Sequence, residues 1–248
     1  MTEALVFDDV SRTFRAGAGV SGLDLRLDAG EIVALVGLNG AGKTTLMRLA
    51  LGMLRPHGGT VRVLGQDVAR IAPSVWARVG SFIETPPAYP ELTVRENLRM
   101  TAILRGVDER LVEHTLKRWN LDAVADRRFR RLSLGNRQRT GLAAALQHDP
   151  DLIVLDEPGN ALDPTSIIAL REHLLARAAS GAAVLVSSHH LDEMARIADR
   201  IVLMNAGRLI GELDTSGADL ERVFFESIRQ DDERREPERA ATAAGGLR

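Results

Sequence analysis

A chain of 248 residues with 45% hydrophobic content can build one large domain, or one domain with a sub-domain, and is not disordered as a whole. With 32 basic against 34 acidic residues the formal net charge is -2, so no global field draws it to nucleic acid or anionic lipid. The absence of cysteine excludes disulfides, thiolate metal sites and cysteine nucleophiles, and fits a reducing cytoplasm.

The N-terminus, MTEALVFDDVSR, carries acids where a secretory signal would have a basic flank and a long apolar stretch. ALVFDDV reads as a strand, followed by GLDLRLDAGEIVALVG with a turn at Asp28, Ala29 and Gly30. Alternating Leu23, Leu25 and Leu27 suit a half-buried antiparallel strand, whereas the unbroken IVALVG suits a strand covered on both faces. A helix is expected from Lys43 to about Met53, then a strand in GGTVRVLGQDV and another in VGSFIE, which ends at Glu84. Thr85, Pro86 and Pro87 prevent that strand from continuing.

From Thr85 to Pro150 the character is helical, with Leu92 to Arg105, Asp108 to Trp119 and Gly135 to Gln147 as the helices and Leu98, Ala102, Leu111 and Leu116 on their apolar faces. Strand and helix then alternate: DLIVLDE, TSIIALREHLLARAAS, AAVLVSS, LDEMARIAD and a hairpin IVLMNAGRLIGEL turning at Asn205 to Gly207. This order predicts an α/β fold with a mostly parallel sheet, antiparallel strands at its N-terminus and an inserted helical lobe. The expected division is 1–84 and 150–215 for the two parts of the core, 85–149 for the lobe, and 216–248 for a short helix and disordered tail. The longest apolar runs are strand length, far below the roughly 20 residues that span a bilayer, so the chain is expected to be soluble.

GLNGAGKT, from Gly37 to Thr44, matches G-x-x-x-x-G-K-[ST] between a buried strand and a helix. Glycines there let backbone N–H groups close around phosphate oxygens at the positive end of the helix. Lys43 supplies a point charge for the β- and γ-phosphates, and Thr44 a hydroxyl for Mg2+. Only Lys43 and Lys117 are lysines, so one of two falls on this position. The predicted phosphate and nucleotide contacts run through Gly37, Leu38, Asn39, Gly40, Ala41, Gly42, Lys43, Thr44 and Thr45. LIVLDEP then delivers Asp156 and Glu157 at the carboxyl end of a second buried strand, where open α/β sheets bind ligands. Neighbours on a strand point to opposite faces, so the two acids share a site only if the chain bends at once. On that reading Asp156 holds the Mg2+ and Glu157 is the general base toward water.

RLSLGNRQRTGLAAAL, from Arg131 to Leu146, resembles the ATP-binding subunits of ABC transporters, whose signature is usually written LSGGQ. Here it reads LSLGN, which keeps Ser133 and Gly135 and places Leu134 and Asn136 where Gly and Gln are commoner. The resemblance covers about residues 4 to 215 and implies a P-loop NTPase (RecA-like) core. It implies that Phe14, 23 positions before Gly37, stacks on adenine, an ordinary core phenylalanine being the alternative. NALD, Asn160 to Asp163, is similar to the loop that links the two sites of a dimer, and His189 of VSSHH to the switch histidine at the γ-phosphate; His190 is taken as structural or exposed. Glu84 stands where the family has a glutamine that reaches Mg2+ and the attacking water, and TPPAYPELTVREN comes next as the loop that touches membrane subunits. A glutamate there is similar to the bacitracin and lantibiotic self-protection branch.

The resemblance implies an ATPase that pairs with a second copy or a similar subunit, each ATP lying between the P-loop of one and Ser133, Gly135 and Asn136 of the other. It implies Mg2+ held by Thr44, Asp156 and Glu84, catalysis by Glu157, His189 and Glu84, separate integral membrane permease subunits, and a place on the cytoplasmic face of the membrane. Drug or peptide export is expected over import. The basic stretch DRRFRRL, Asp126 to Leu132, reads as a solvated face, with contact to a partner subunit or its nucleotide left open and no nucleic acid expected. Two other readings stay open: a soluble ATPase of this family acting on a macromolecular partner, and a nucleotide-binding scaffold that does not hydrolyse.

Overall fold

The computed structural model describes residues 2–14, 18–214 and 219–245, with side chains as far as residue 235. Four strands form an antiparallel sheet in the order β2-β1-β4-β5: β1 (Glu3–Thr13), β2 (Gly19–Asp28), β4 (Gly58–Val63) and β5 (Gln66–Asp67). The second sheet has six strands in the order β10-β9-β3-β8-β7-β6. Its members are β3 (Ile32–Val36), β6 (Val79–Phe82), β7 (Leu152–Asp156), β8 (Ala183–Ser188), β9 (Arg200–Asn205) and β10 (Arg208–Leu213). All pairings in it are parallel except that of β10 with β9.

The unbroken apolar run of β3 reflects coverage on both faces. Val33 and Leu35 belong to one core, with α1 (Lys43–Ala50) and the antiparallel sheet, while Ile32, Ala34 and Val36 belong to the other. That second core includes the helical lobe and α6 (Pro164–Ala179). The lobe consists of α3 (Val94–Arg105), α4 (Leu111–Arg118) and α5 (Leu134–Leu146), with Leu98, Ala102, Leu116 and Leu142 fully buried. Truncating one of these leucines to alanine would cost about 2–5 kcal/mol, because a packed core collapses only partly around the void.

Several element boundaries differ from the sequence reading. Helix α1 stops at Ala50 instead of near Met53, because Gly52 takes φ 65° and the N–H groups of Gly52 and Met53 return to the carbonyls of Leu49 and Arg48. The stretch GGTVRVLGQDV is a hairpin and not one strand, since Leu64 (φ 47°) and Gly65 (φ 79°) form a tight turn that pairs Val63 with Gln66. A single helical turn, α2 (Pro73–Trp76), was not expected. Leu111 begins α4 and is exposed, because the chain before it is occupied by a turn in which Asp108 accepts from the Arg110 N–H at 2.9 Å. Helix α7 (Leu191–Met194) is one turn long where nine residues were expected.

The expected short C-terminal helix is instead α8 (Leu220–Gly245). Its charges do not mark a tail: Arg222 pairs with Glu226 and Arg229 with Glu233 at i,i+4 spacing, while Phe224 and Ile228 are buried. The boundary at 215/216 and the expected disorder of 246–248 lie outside the described residues.

Candidate nucleotide site

Parallel register decides where the site forms. Val36 lies beside Ser188 and Asp156 beside Ser187, so the chain segments that leave β3, β7 and β8 emerge together at one edge of the sheet. Phe82 pairs with Leu155, which brings the residues after β6 to the same edge. A cleft of about 620 Å3 opens there, lined by Phe14, the loop Leu38–Thr45, Glu84, Asp156, Glu157 and part of the NALD loop.

The floor of the cleft is the turn into α1. Gly42 caps the helix with φ 109° and offers no side chain to its N–H groups. The first N–H groups of a helix lack internal partners, so those of Lys43, Thr44 and Thr45 remain for an anion. Gly37 and Gly42 are fixed by close approach: a Cβ on Gly37 would lie 2.2 Å from the Met204 carbonyl oxygen, and one on Gly42 would lie 2.8 Å from the Met204 methyl carbon. Gly40 instead faces open space with φ 83°.

Lys43 is buried and its Nζ donates to the Gly37 carbonyl at 2.7 Å, with a longer contact to Leu38 O at 3.4 Å and Glu157 Oε1 at 3.7 Å. Thr44 Oγ1 donates to Asp156 at 2.7 Å, and Ser187 Oγ donates to the other Asp156 oxygen at 2.5 Å. Asp156 is itself buried, so these hydroxyls satisfy a carboxylate that would otherwise stand desolvated. The bend that the two acids require lies in Glu157 itself, whose φ is 47°, and its N–H donates to Ser187 Oγ at 2.9 Å. Glu157 thereby turns its carboxylate to Lys43 on one side and to His189 Nδ1, 2.8 Å away, on the other. His190 is exposed and lies against the His189 ring, with centroids 4.0 Å apart.

Glu84 stands beyond the end of β6 with φ 58° and reaches the cleft with its carboxylate held by Arg48 at 2.7 Å. Phe14 is 37% exposed and lines the cleft, which separates it from a core phenylalanine; the Arg12 guanidinium lies 5.4 Å from its ring centre. From the signature segment Leu134 and Gln138 line this cleft, whereas Ser133, Gly135 and Asn136 do not. Ser133 caps α5, its hydroxyl accepting from the Asn136 N–H at 3.3 Å, and Gly135 packs so close that a Cβ would lie 2.9 Å from the Ala161 carbonyl oxygen. Asp163 caps α6, and the Ser166 N–H holds its carboxyl below the usual range.

The loop after Glu84 is pinned from below. Asn97, which is buried, accepts from the Tyr89 N–H at 2.7 Å and donates to the carbonyls of Tyr89, Leu92 and Thr93, while Tyr89 itself is exposed. The basic stretch is tied to this loop. The N–H groups of Phe129 and Arg130 donate to the carbonyls of Leu92 and Pro90, and Glu91 lies between Arg128 and Arg130. The charged side chains of the stretch are exposed, as a solvated face requires, while its backbone and the Glu91 pairs tie the loop to the segment leading into Ser133.

Sequence reasoning missed Ser187 and Arg48. Ser187 lies inside VSSHH, where only the histidines were given a role, and Arg48 lies on α1; both meet their partners through the pairing of distant strands and a helix. A phosphate cradle, a buried aspartate on the cradle hydroxyl and a glutamate bent toward a histidine define a P-loop ATPase. Oxygen donors from Thr44 and Asp156 beside that cradle fit Mg2+, a hard cation.

Residues 20–160 match the ABC transporter family. The bacitracin transport ATP-binding protein BcrA of Enterococcus faecalis is 39% identical over 211 residues, covering 84% of this chain and 68% of that one. The lantibiotic transport ATP-binding protein SrtF of Streptococcus pyogenes is 31% identical over 225 residues, 90% of this chain and 97% of that one. A solved structure described as an ATP-binding subunit of an ABC transporter superposes with a TM-score of 0.83 at 32% identity, over 90% of this chain and 99% of that chain. The chain belongs to the ABC transporter family and is an ATP-binding motor subunit of such a transporter. Among the described residues no helix is long and apolar enough to cross a membrane.

Proposed function

We propose that this chain is the ATPase half of an exporter of peptide antibiotics, that it works as two copies on the cytoplasmic face of the membrane, and that separate permease subunits form the pathway. The observation that carries the catalytic part is the bend at Glu157, which sets one carboxylate between Lys43 and His189 while Asp156 stays on Thr44. The export part is supported by the likeness to bacitracin and lantibiotic transport subunits and by Glu84 at the loop that would face the permease.

On this reading adenine stacks on Phe14, and the triphosphate lies on the backbone from Leu38 to Thr45. Lys43 exchanges the Gly37 carbonyl for the β- and γ-phosphates. Mg2+, arriving with the nucleotide, would be held by Thr44 and Asp156, with Glu84 beside them, and would neutralise phosphate charge. Glu157 takes a proton from water as the water oxygen bonds to the γ-phosphorus; the bond to the bridging oxygen breaks, and ADP leaves with that oxygen. His189 orients Glu157 and the water. On this reading a second copy presents its Ser133, Gly135 and Asn136 to the γ-phosphate.

Glu157→Gln keeps the side-chain shape but removes the base, so hydrolysis should fall at least ~100-fold while ATP still binds. Size-exclusion chromatography of this variant with Mg·ATP is expected to show a dimer. A nucleotide-loaded single copy at every concentration tested would reject the two-copy reading. Expression with its permease is expected to raise tolerance to bacitracin-like peptides, and unchanged tolerance across a panel of them would reject the substrate class.

A further inference from the structure

We infer that Asn205 is a positioning residue through which the C-terminal helix α8 sets the affinity of the nucleotide cleft. The inference rests on the reading that the cleft binds ATP. Asn205 ends β9 and is buried, and its Nδ2 donates to Asp231 at 2.7 Å and to Asp232 at 2.9 Å on α8. Arg235, one turn further along, lies 3.8 Å from Asp231 and 3.4 Å from Asp232, so the acidic pair is itself held in place.

The tether matters because of the turn that Asn205 enters. Ala206 and Gly207 form this β9–β10 turn with φ 42° and 81°, and it is wedged into both walls of the cleft. On one side the Gly207 N–H donates to the Ala41 carbonyl at 2.8 Å, directly beneath the phosphate loop. On the other, Gly207 O accepts from the Ser21 N–H at 2.9 Å, and a Cβ on Gly207 would lie 2.2 Å from Gly19 O, next to the segment that carries Phe14. The Met204 carbonyl meanwhile sits against Gly37. One short turn thus fixes the separation between the phosphate cradle and the adenine wall, and the side chain at its entrance is held by the helix.

Close packing transmits strain, so a displaced turn pushes on Ala41 and on Gly19 from between them and changes the spacing of the two walls. Releasing α8 should therefore weaken binding of the whole nucleotide and leave the chemistry of Glu157 intact once the cleft is full. Anything that draws α8 away, including a partner that binds it, would lower ATP affinity without touching the cleft.

The test uses the full chain and a fluorescent ATP analogue. Asn205→Asp places a carboxylate against Asp231 and Asp232, and is expected to weaken binding about five- to tenfold. Adding Asp231→Asn and Asp232→Asn restores amide-to-carboxylate bonds with reversed polarity and should return affinity to within about twofold. Should Asn205→Asp fail to fold, the Asp231→Ala/Asp232→Ala pair on α8 should show the same loss. In the assembled transporter KM for ATP should rise with kcat retained. Unaltered affinity in these variants, or no recovery in the triple variant, would overturn the inference. Failure of the unaltered chain to bind the analogue would instead reject the nucleotide reading itself.

Discussion

Glu84 shows how much one side chain can be asked to do. Its ion pair with Arg48 joins two well-exposed groups, 54% and 38% accessible, and pairs of that kind contribute at most about 1 kcal/mol. Removing the charge should therefore leave stability nearly unchanged, and any effect of Glu84→Gln must come from the cleft. A carboxylate there competes for the cation more strongly than an amide but repels the γ-phosphate and Asp156. Glu84→Gln is expected to keep ATP binding and alter the number of ATP molecules consumed per substrate moved, measured in proteoliposomes. Unchanged transport together with unchanged hydrolysis would count against a role. The motif from Gly37 to Thr44 was legible from sequence because all its chemistry is contiguous. Ser187 and Arg48 were not, because a serine in an apolar strand and an arginine on a helix carry no mark of the partner that the fold brings to them.

Elements were legible where hydrophobic period and turn chemistry agreed. The two-faced β3 and β7, the helices of the lobe and the β9–β10 hairpin all lie where alternation, helical spacing and Asn205–Gly207 placed them. Leu64 broke that agreement, since a leucine at φ 47° in the first turn position gives no sign of the turn, which Gly65 alone marks. Charges along α8 misled for another reason, because i,i+4 pairing and solvation look alike in composition. The loop at Tyr89 presents a related case: the Asn97 side chain accepts from the Tyr89 N–H and adds a donor to the carbonyls of Tyr89, Leu92 and Thr93. Asn97→Ala should cost about 1–3 kcal/mol by leaving the Tyr89 N–H without its acceptor. In proteoliposomes it should depress transport more than it depresses hydrolysis by the same complex, because the phosphate site is not in contact with it. Equal loss of both would show that the loop does not couple them.

Stability of the whole molecule should depend on acidity through two histidines outside the cleft. His148 is pushed down to about 4 by burial and by Arg105, and His173 to about 4 by burial and by Arg118, from an ordinary value of 6.5. Between those limits the unfolded chain binds protons that the folded chain refuses, so folding stability is fully present above about pH 6.5 and is lost as pH falls toward 4. Urea midpoints at pH 7.5 and pH 5 should show the drop, and His148→Gln should flatten part of it; a level profile across that interval would contradict this account.

The alignment of β3, β6, β7 and β8 at one margin gives the two ends of the sheet unequal histories. Extra residues at Ala29–Gly30 or before Pro150, where the strands begin, only lengthen connections remote from phosphate. The same residues added after Asp156 or Ser188 would misplace an acid or an imidazole, so a library of random insertions should yield survivors at one end of this protein and almost none at the other.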